Sequence, residues 1–472
     1  MTTLPYIHSY DIRGIYSKHF SREVIQDLAK GIVSEFLPKK VIIGYDMRES
    51  SPEFFDILSA QCSELGVEVI SIGLASTPQL YFATCIHDCD LGIIITASHN
   101  PKEYNGMKVC RKNAFPIAYD TGLNAVERRI VEQDFISNVQ ENNSNESLRG
   151  SIQEISVIKE YDSTILSYLS KINDKPKQRP IKIAIDYANA IGCFSNKPVL
   201  EQLEKDGFIE CVHVFDELDG TFPNHEANPI KEENLEYLKE VVVKEECDFG
   251  VSFDGDSDRV GFVDEKGRYV APDVMGCFLV NHLNKHDEEF ETFCYDLRST
   301  RNLTKLGDDI KKNYFQTRVG HSHIKKKMHE VDAQFACELS GHFYFEESGS
   351  KYDDALRALV ESICAFSYYD ESLSKVVEKF NPKLKSPEIN FTVRDANQEM
   401  EDSKDWFIEL IDTSKEELVI SHLDGVLIEH DTFWVNIRKS NTEPLLRVNY
   451  EVINEDKKLF DTITKIITNK LN

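Results

Sequence analysis

One pattern, used three times, limits what this chain can fold into. Val41 to Gly44 is a short apolar run ending in Tyr45-Asp46-Met47-Arg48. Ile181 to Ile185 leads likewise into Asp186-Tyr187-Ala188-Asn189, and Thr292 to Cys294 into Tyr295-Asp296-Leu297-Arg298. A helix-like stretch and a second run follow each: Val67 to Gly73, Cys211 to Phe215, Tyr314 to Val319. A third run then begins in matching fashion, as Cys89-Asp90-Leu91-Gly92-Ile93, Cys247-Asp248-Phe249-Gly250-Val251 and, more loosely, Ala333-Gln334-Phe335-Ala336. Strands that alternate with helices form parallel pairs covered by helices. The pattern therefore predicts three consecutive related α/β domains with mixed, largely parallel sheets. After Pro387 the rhythm changes to strands at Ile389 to Val393, Gly425 to Glu429 and Phe433 to Ile437, with a terminal helix from about Lys457. That reads as a smaller C-terminal α+β domain. The expected divisions are 1–152, 153–264, 265–380 and 381–472, grouped around a central cleft. Ser137 to Ser151 reads as a surface loop or linker.

The three third strands end in polar loops, and these carry the chemistry. Leu91 to Ile95 is too short for a helix and reads as a strand buried on both faces. It breaks into Thr96-Ala97-Ser98-His99-Asn100-Pro101, where Asn-Pro marks a tight turn. Ser98 thus stands at the carboxyl end of a buried strand, where open α/β sheets bind ligands. Ser98 and Asn100 could equally serve only the turn. The recurrence of the pattern favours a site. The equivalent loops are Asp254-Gly255-Asp256-Ser257-Asp258-Arg259 and Glu338-Leu339-Ser340-Gly341-His342.

Carboxylates at alternate positions of a turning backbone, as in Asp254, Asp256 and Asp258, supply three hard oxygen ligands and suit Mg²⁺. A calcium EF-hand would also find Glu265 at its twelfth position, but Arg259 stands where that loop needs glycine. A merely solvated acidic turn is disfavoured by the apolar strands on either side. The C-terminal domain contributes Arg438-Lys439-Ser440-Asn441-Thr442-Glu443-Pro444 and then Arg447, a loop of guanidinium forks, hydroxyls and turn amides fit for a phosphate-sized anion. With 81 acidic against 54 basic residues, a formal charge of -27, such clustering is informative. The same charge argues against nucleic acid or an anionic membrane as partner. No apolar run approaches the ~18 residues of a membrane span, and no secretory signal follows Met1. The 11 scattered cysteines fit reduced thiols in a cytoplasmic protein.

Taken together, Tyr10-Asp11-Ile12-Arg13-Gly14, Thr96 to Pro101, Asn105-Gly106-Met107-Lys108, Asp254 to Arg259, Gly320-His321 with Lys325, Glu338 to His342 and Arg438 to Pro444 resemble, in this order, the motifs of the α-D-phosphohexomutases. The likeness covers essentially the whole chain and is greatest to the phosphomannomutase/phosphoglucomutase branch. His342 after Ser340-Gly341 is similar to that branch and to phosphoglucosamine mutases. Two positions depart from the pattern. Cys337 and Ala355 stand where glycine is usual, beside the sugar-facing loops.

The resemblance implies transfer of a phosphoryl group between the 1- and 6-positions of a hexose phosphate, mannose before glucose, with a hexose 1,6-bisphosphate as intermediate and activator. Ser98 would carry the phosphoryl group, and Asp254, Asp256 and Asp258, with Ser98, would hold Mg²⁺. Arg259 would offset charge, Lys108 and His342 would move protons, and Arg13 would assist electrostatically. Tyr10, His321, Lys325, Glu338 and Ser340 would contact the sugar phosphate. Arg438, Ser440, Asn441, Thr442 and Arg447 would hold the phosphate that is not reacting. A monomer or weak homodimer is expected. The alternatives are a phosphoglucosamine mutase, a metal-dependent phosphatase or a phosphosugar-binding protein without activity.

Overall fold

The computed structural model describes residues 4–136, 149–169, 179–347, 349–410, 418–439 and 445–471. Four sheets follow one another along the chain, and the first three repeat one strand order. The central strands are Lys40–Tyr45, Ile181–Asp186 and Thr292–Asp296. On one side of each lies its second strand, in parallel: Glu68–Leu74, Ile209–Val214 and Asn313–Thr317. On the other lies its third, also parallel: Leu91–Ile95, Phe249–Phe253 and Phe335–Cys337. The chain therefore reverses its direction of build at the central strand. The crevice at the carboxyl ends of the strands there is the expected ligand position.

Each third strand then turns back into an antiparallel partner, Tyr104–Arg111, Val260–Asp264 or Phe343–Glu347. The third strands are buried at every position, as helices on both faces of a sheet require. Their loops consequently emerge from rigid, fully covered elements. Two short strands shift the expected divisions. Tyr269–Val270 continues the second sheet past residue 264, and Ile152–Glu154 adds to the first sheet across residue 152. Residues 137–148, most of the expected linker, lie outside the described residues.

The first unit has its own core around Ile25, Leu28, Ile43, Phe54 and Ile93. The second and third share one, which also takes in Tyr81 and Phe82 of the first. The sequence explains the sharing. Helix Ala355–Ser367 is largely apolar and wholly buried; its charged pair, Arg357 and Glu361 at 3.0 Å, is buried with it, and Glu361 also faces His282 at 3.4 Å. The C-terminal sheet is antiparallel throughout. It is covered by helix Lys457–Leu471, whose Ile463, Ile467 and Leu471 recur every four residues on the buried face. This unit joins the third at Glu451. Glu451 accepts hydrogen bonds from Thr300 Oγ1 at 2.9 Å, from the Arg301 amide at 3.1 Å and from Trp434 Nε1 at 3.0 Å. Among the described residues, no helix is long and apolar enough to cross a membrane.

Candidate active site

The serine loop is held by its own backbone chemistry. Ser98 is fully buried, with a left-handed φ of 49°. Its amide donates to Thr96 Oγ1 at 2.9 Å, and the Asn100 amide donates to the Ala97 carbonyl at 3.0 Å. Behind the loop lies buried Arg48. Its two terminal nitrogens donate to the carbonyls of Ser98 and Asn100 at 2.7 Å, Pro101 at 2.8 Å and Tyr104 at 3.1 Å. Arg48 is in turn braced by Asp46 at 3.2 Å. Sequence reasoning placed Asp46 and Arg48 in the repeat but gave them no role. The signal was the second Asp-x-Arg at Asp296 and Arg298, which brace the Glu338 loop. The Leu339 amide donates to Asp296 at 2.7 Å, and Arg298 reaches Glu338 at 3.3 Å. Arg48→Ala would leave four carbonyls and the Asp46 carboxylate without their cation. Such a loss should cost about 3–5 kcal/mol, read as a lower denaturant midpoint, and should loosen the serine loop enough to depress activity.

The acidic loop meets the serine loop directly. Gly255 passes so close that a β-carbon there would lie 2.2 Å from the Ser98 carbonyl oxygen, so only glycine fits. Ser98 Oγ donates to Asp254 Oδ2 at 3.0 Å. Asp254, Asp256 and Asp258 are all fully buried, and their ligand atoms lie within 4.8 Å of one another. Burial, and then the charges of Asp258 and Asp256, push the Asp254 carboxyl well above its usual range. Asp256 is subject to the same burial, but the Lys108 ammonium at 2.6 Å holds it below that range. Lys108 also pairs with Asp258. Burial disfavours the Lys108 charge, yet Asp256 and Asp258 hold it firmly as an ammonium. Asp256 Oδ1 and Asp258 Oδ1 are buried without a hydrogen-bond partner among the described residues. Three converging carboxylates, two of them with an orphaned oxygen, next to a hydroxyl fit a hard divalent cation that takes its remaining ligands from phosphate and water. Thr77, at the start of helix Thr77–Ile86, donates through both its amide and its hydroxyl to Asp256, at 3.0 and 2.6 Å. Thr77 was not foreseen, although Ser76 and Gln79 form a capping box that marks this helix start.

The third loop docks onto the second. The Val260 amide donates to the Gly341 carbonyl at 3.1 Å, and Arg259 and His342 pair as a β-bridge. Arg259 Nε donates to His342 Nε2 at 3.0 Å, so the imidazole proton sits on Nδ1, facing Asp353 at 3.0 Å. With both ring nitrogens engaged, His342 orients Arg259. Burial, and then the charge of Arg259, lower the His99 imidazole well below its usual range. His99 is therefore neutral, and its Nδ1 lies 3.2 Å from Ser98 Oγ. It is a neighbour of the serine that the motif contained but to which no part had been assigned.

These loops surround a cavity of about 620 Å³. Of the residues expected from sequence, Tyr10, Arg13, Lys108, Arg259, His321, Glu338, Ser340, His342, Arg438 and Arg447 line it, joined by His99 and Arg298. Arg13 donates to Asn100 at 2.8 Å and pairs with Asp11. Tyr10 donates to the Val319 carbonyl at 3.0 Å. Both ring nitrogens of His321 and the Ser340 hydroxyl are buried without a hydrogen-bond partner among the described residues. They are polar groups left for a ligand. Glu338 accepts from the Gly320 amide at 3.1 Å and from Tyr344 at 3.0 Å.

Three expectations need correction or fall outside the description. Lys325 is not among the lining residues. It is fully buried, paired with Asp353 at 2.5 Å and set 3.8 Å over the Tyr81 ring. Its partner Asp353 in turn faces His342 at 3.0 Å. Cys337 and Ala355 do not line the cavity either. Cys337 packs into the room left by Gly276, where a β-carbon would lie 2.4 Å from its sulfur. Ser440, Asn441 and Thr442 lie outside the described residues.

Known proteins match this chain along its whole length. Four family models match in succession: the phosphoglucomutase/phosphomannomutase alpha/beta/alpha domains I, II and III over residues 5–137, 159–267 and 271–383, and the C-terminal domain over 388–466. A phosphomannomutase of Methanocaldococcus jannaschii is 35% identical over 447 residues, covering 95% of this chain and 93% of its own. A phosphomannomutase/phosphoglucomutase of Pseudomonas aeruginosa is 30% identical over 480 residues, covering 99% and 96%. The crystal structure of a phosphoglucomutase/phosphomannomutase family protein from Burkholderia thailandensis superposes with a TM-score of 0.84 at 25% identity, covering 100% of this chain and 98% of that one.

Proposed function

Because the chain belongs to the phosphoglucomutase/phosphomannomutase family, we infer that it is a phosphohexomutase. It moves a phosphoryl group between the 1- and 6-positions of a hexose phosphate, by way of a phosphoserine and a bisphosphorylated sugar. We propose mannose 1- and 6-phosphate as the preferred pair, with the glucose phosphates next. The phosphomannomutase 35% identical to this chain supports that order. The observation that carries the reading is Ser98 Oγ, 3.0 Å from Asp254 in a cluster of three buried carboxylates, beside a cavity that arginines from all four units line.

In this reading Ser98 is the phosphoryl carrier. Asp254, Asp256 and Asp258 would hold Mg²⁺, which when bound offsets charge on the phosphoryl group. Arg259, steered by His342, adds a fixed positive charge at the same place. A sugar hydroxyl attacks the phosphorus, the P–O bond to Ser98 Oγ breaks, and the serine oxygen leaves with a proton from the site. Lys108, held as an ammonium, suits the donor's part, and neutral His99 beside Ser98 Oγ suits a proton acceptor. Arg13 and Asn100 hold the rim of the loop. After the sugar turns over, the same steps run in reverse on its other phosphate. Glu338, Ser340, Tyr10 and His321 would meet the sugar, and Arg298, Arg438 and Arg447 the distant phosphate. A hexose 1,6-bisphosphate would prime Ser98. Among the described residues no disulfide joins any of the 11 cysteines, which supports a reducing, cytoplasmic setting. A cavity built from one chain is compatible with a monomer or weak homodimer. The test is turnover on mannose, glucose and glucosamine 1-phosphates with catalytic bisphosphate. The mannose compound should give the highest kcat/KM, and turnover of none of the three would refute the reading.

A further inference from the structure

Arg438 and Arg447 stand directly opposite each other on adjacent antiparallel strands, Phe433–Lys439 and Leu445–Val452. Like charges in that register repel, and the cavity needs both side chains on its wall. A third guanidinium, Arg298, arrives from the preceding unit. One carboxylate touches all three. Glu388, at the entry to strand Ile389–Thr392, accepts from Arg438 Nη2 at 2.7 Å, from Arg447 Nη1 at 3.3 Å and from Arg298 Nη1 at 3.4 Å. Burial works against its charge, but Arg298 and Arg438 hold it below the usual carboxylate range. The three arginines line the cavity, and Glu388 ties them together. Arg298 also reaches Glu338 at 3.3 Å. A continuous charged chain, Arg438–Glu388–Arg298–Glu338, therefore links the anion end of the cavity to the residue expected to meet the sugar hydroxyls.

We propose that Glu388 is a positioning residue that gathers Arg298, Arg438 and Arg447 into a single phosphate socket and, through Arg298, locks that socket to the Glu338 loop of the neighbouring unit. Its counter-charge lets three guanidiniums converge on the place where a dianion would sit. The inference rests on the mutase reading for the identity of the ligand, a phosphate ester, but not for the existence of the socket.

The experiment is calorimetric titration with inorganic phosphate and with mannose 6-phosphate, together with steady-state kinetics, on the parent, Glu388→Ala and Glu388→Gln. Loss of a charged partner predicts phosphate binding weaker by about 10- to 100-fold in Glu388→Ala. KM should rise by a similar factor, while kcat stays within about threefold. Glu388→Gln keeps an acceptor oxygen and should fall between the two. If the alanine variant fails to fold, the glutamine variant carries the test alone. Unchanged phosphate binding in either folded variant would overturn the proposal. So would tighter binding, because Glu388 would then be a competitor of the phosphate. Phosphate binding that is weakened in the Glu388 variants, in a parent that turns over no hexose phosphate, would refute the mutase reading and leave the socket standing.

Discussion

Ser98→Ala should bring turnover to about 10⁻⁴ of the parent rate or less, a loss of the size seen when a covalent nucleophile is removed. Among the described residues no other hydroxyl stands in its place. Thr96 Oγ1 is occupied by the Ser98 amide, and no serine or threonine other than Ser98 donates to Asp254 among the described residues. The variant should still fold. Alanine retains the left-handed backbone at the same cost as serine, and the lost hydrogen bond to Asp254 is worth about 1 kcal/mol. The thermal midpoint should therefore move by only a few degrees, while intact-mass spectrometry finds no phosphate after incubation with a hexose bisphosphate. A variant that keeps a substantial share of turnover would mean that the phosphoryl group travels by another residue.

Asp256→Asn should lower turnover by about 10³-fold or more, since a bound cation contributes several kcal/mol of charge stabilisation. Asparagine can still accept from Thr77, so helix Thr77–Ile86 stays docked. It cannot offer a charged oxygen where Asp256 Oδ1 is orphaned. Lys108 keeps Asp258 as partner, which limits the stability cost to about 1–3 kcal/mol. Chelator treatment of the parent should reproduce the loss, and Mg²⁺ should restore it. Full activity in the variant, or in metal-stripped parent, would contradict the assignment of this loop.

The sequence made the repeated unit legible because third strands buried on both faces must be largely apolar, and three such runs, each ending in a polar loop, recur at matching places in the chain. It also made Ser98, the three aspartates and the arginines of the C-terminal domain legible, since their chemistry is local: a turn, an alternation, a cluster of forks. What stayed hidden were partnerships across the chain. Arg48 grips a loop fifty residues away, Thr77 meets Asp256 179 residues on, and Glu388 collects arginines from two units. Nothing in a local pattern separates Lys325, an internal counter-ion of Asp353, from a lysine that faces substrate. Cys337 reads as an oddity until Gly276 is seen to leave space for its sulfur. Small and large residues in contact exchange volume without any signal along the chain.

The most direct test follows the phosphoryl group itself. The protein is charged with hexose 1,6-bisphosphate carrying labelled phosphorus, freed of excess ligand, and digested to locate the label. It is then mixed in a single turnover with unlabelled mannose 1-phosphate. The account predicts one label per chain on the peptide containing Ser98, passing into sugar phosphate at least as fast as steady-state turnover. Label on any other residue, or label on Ser98 that stays there while mannose 6-phosphate forms, would contradict it.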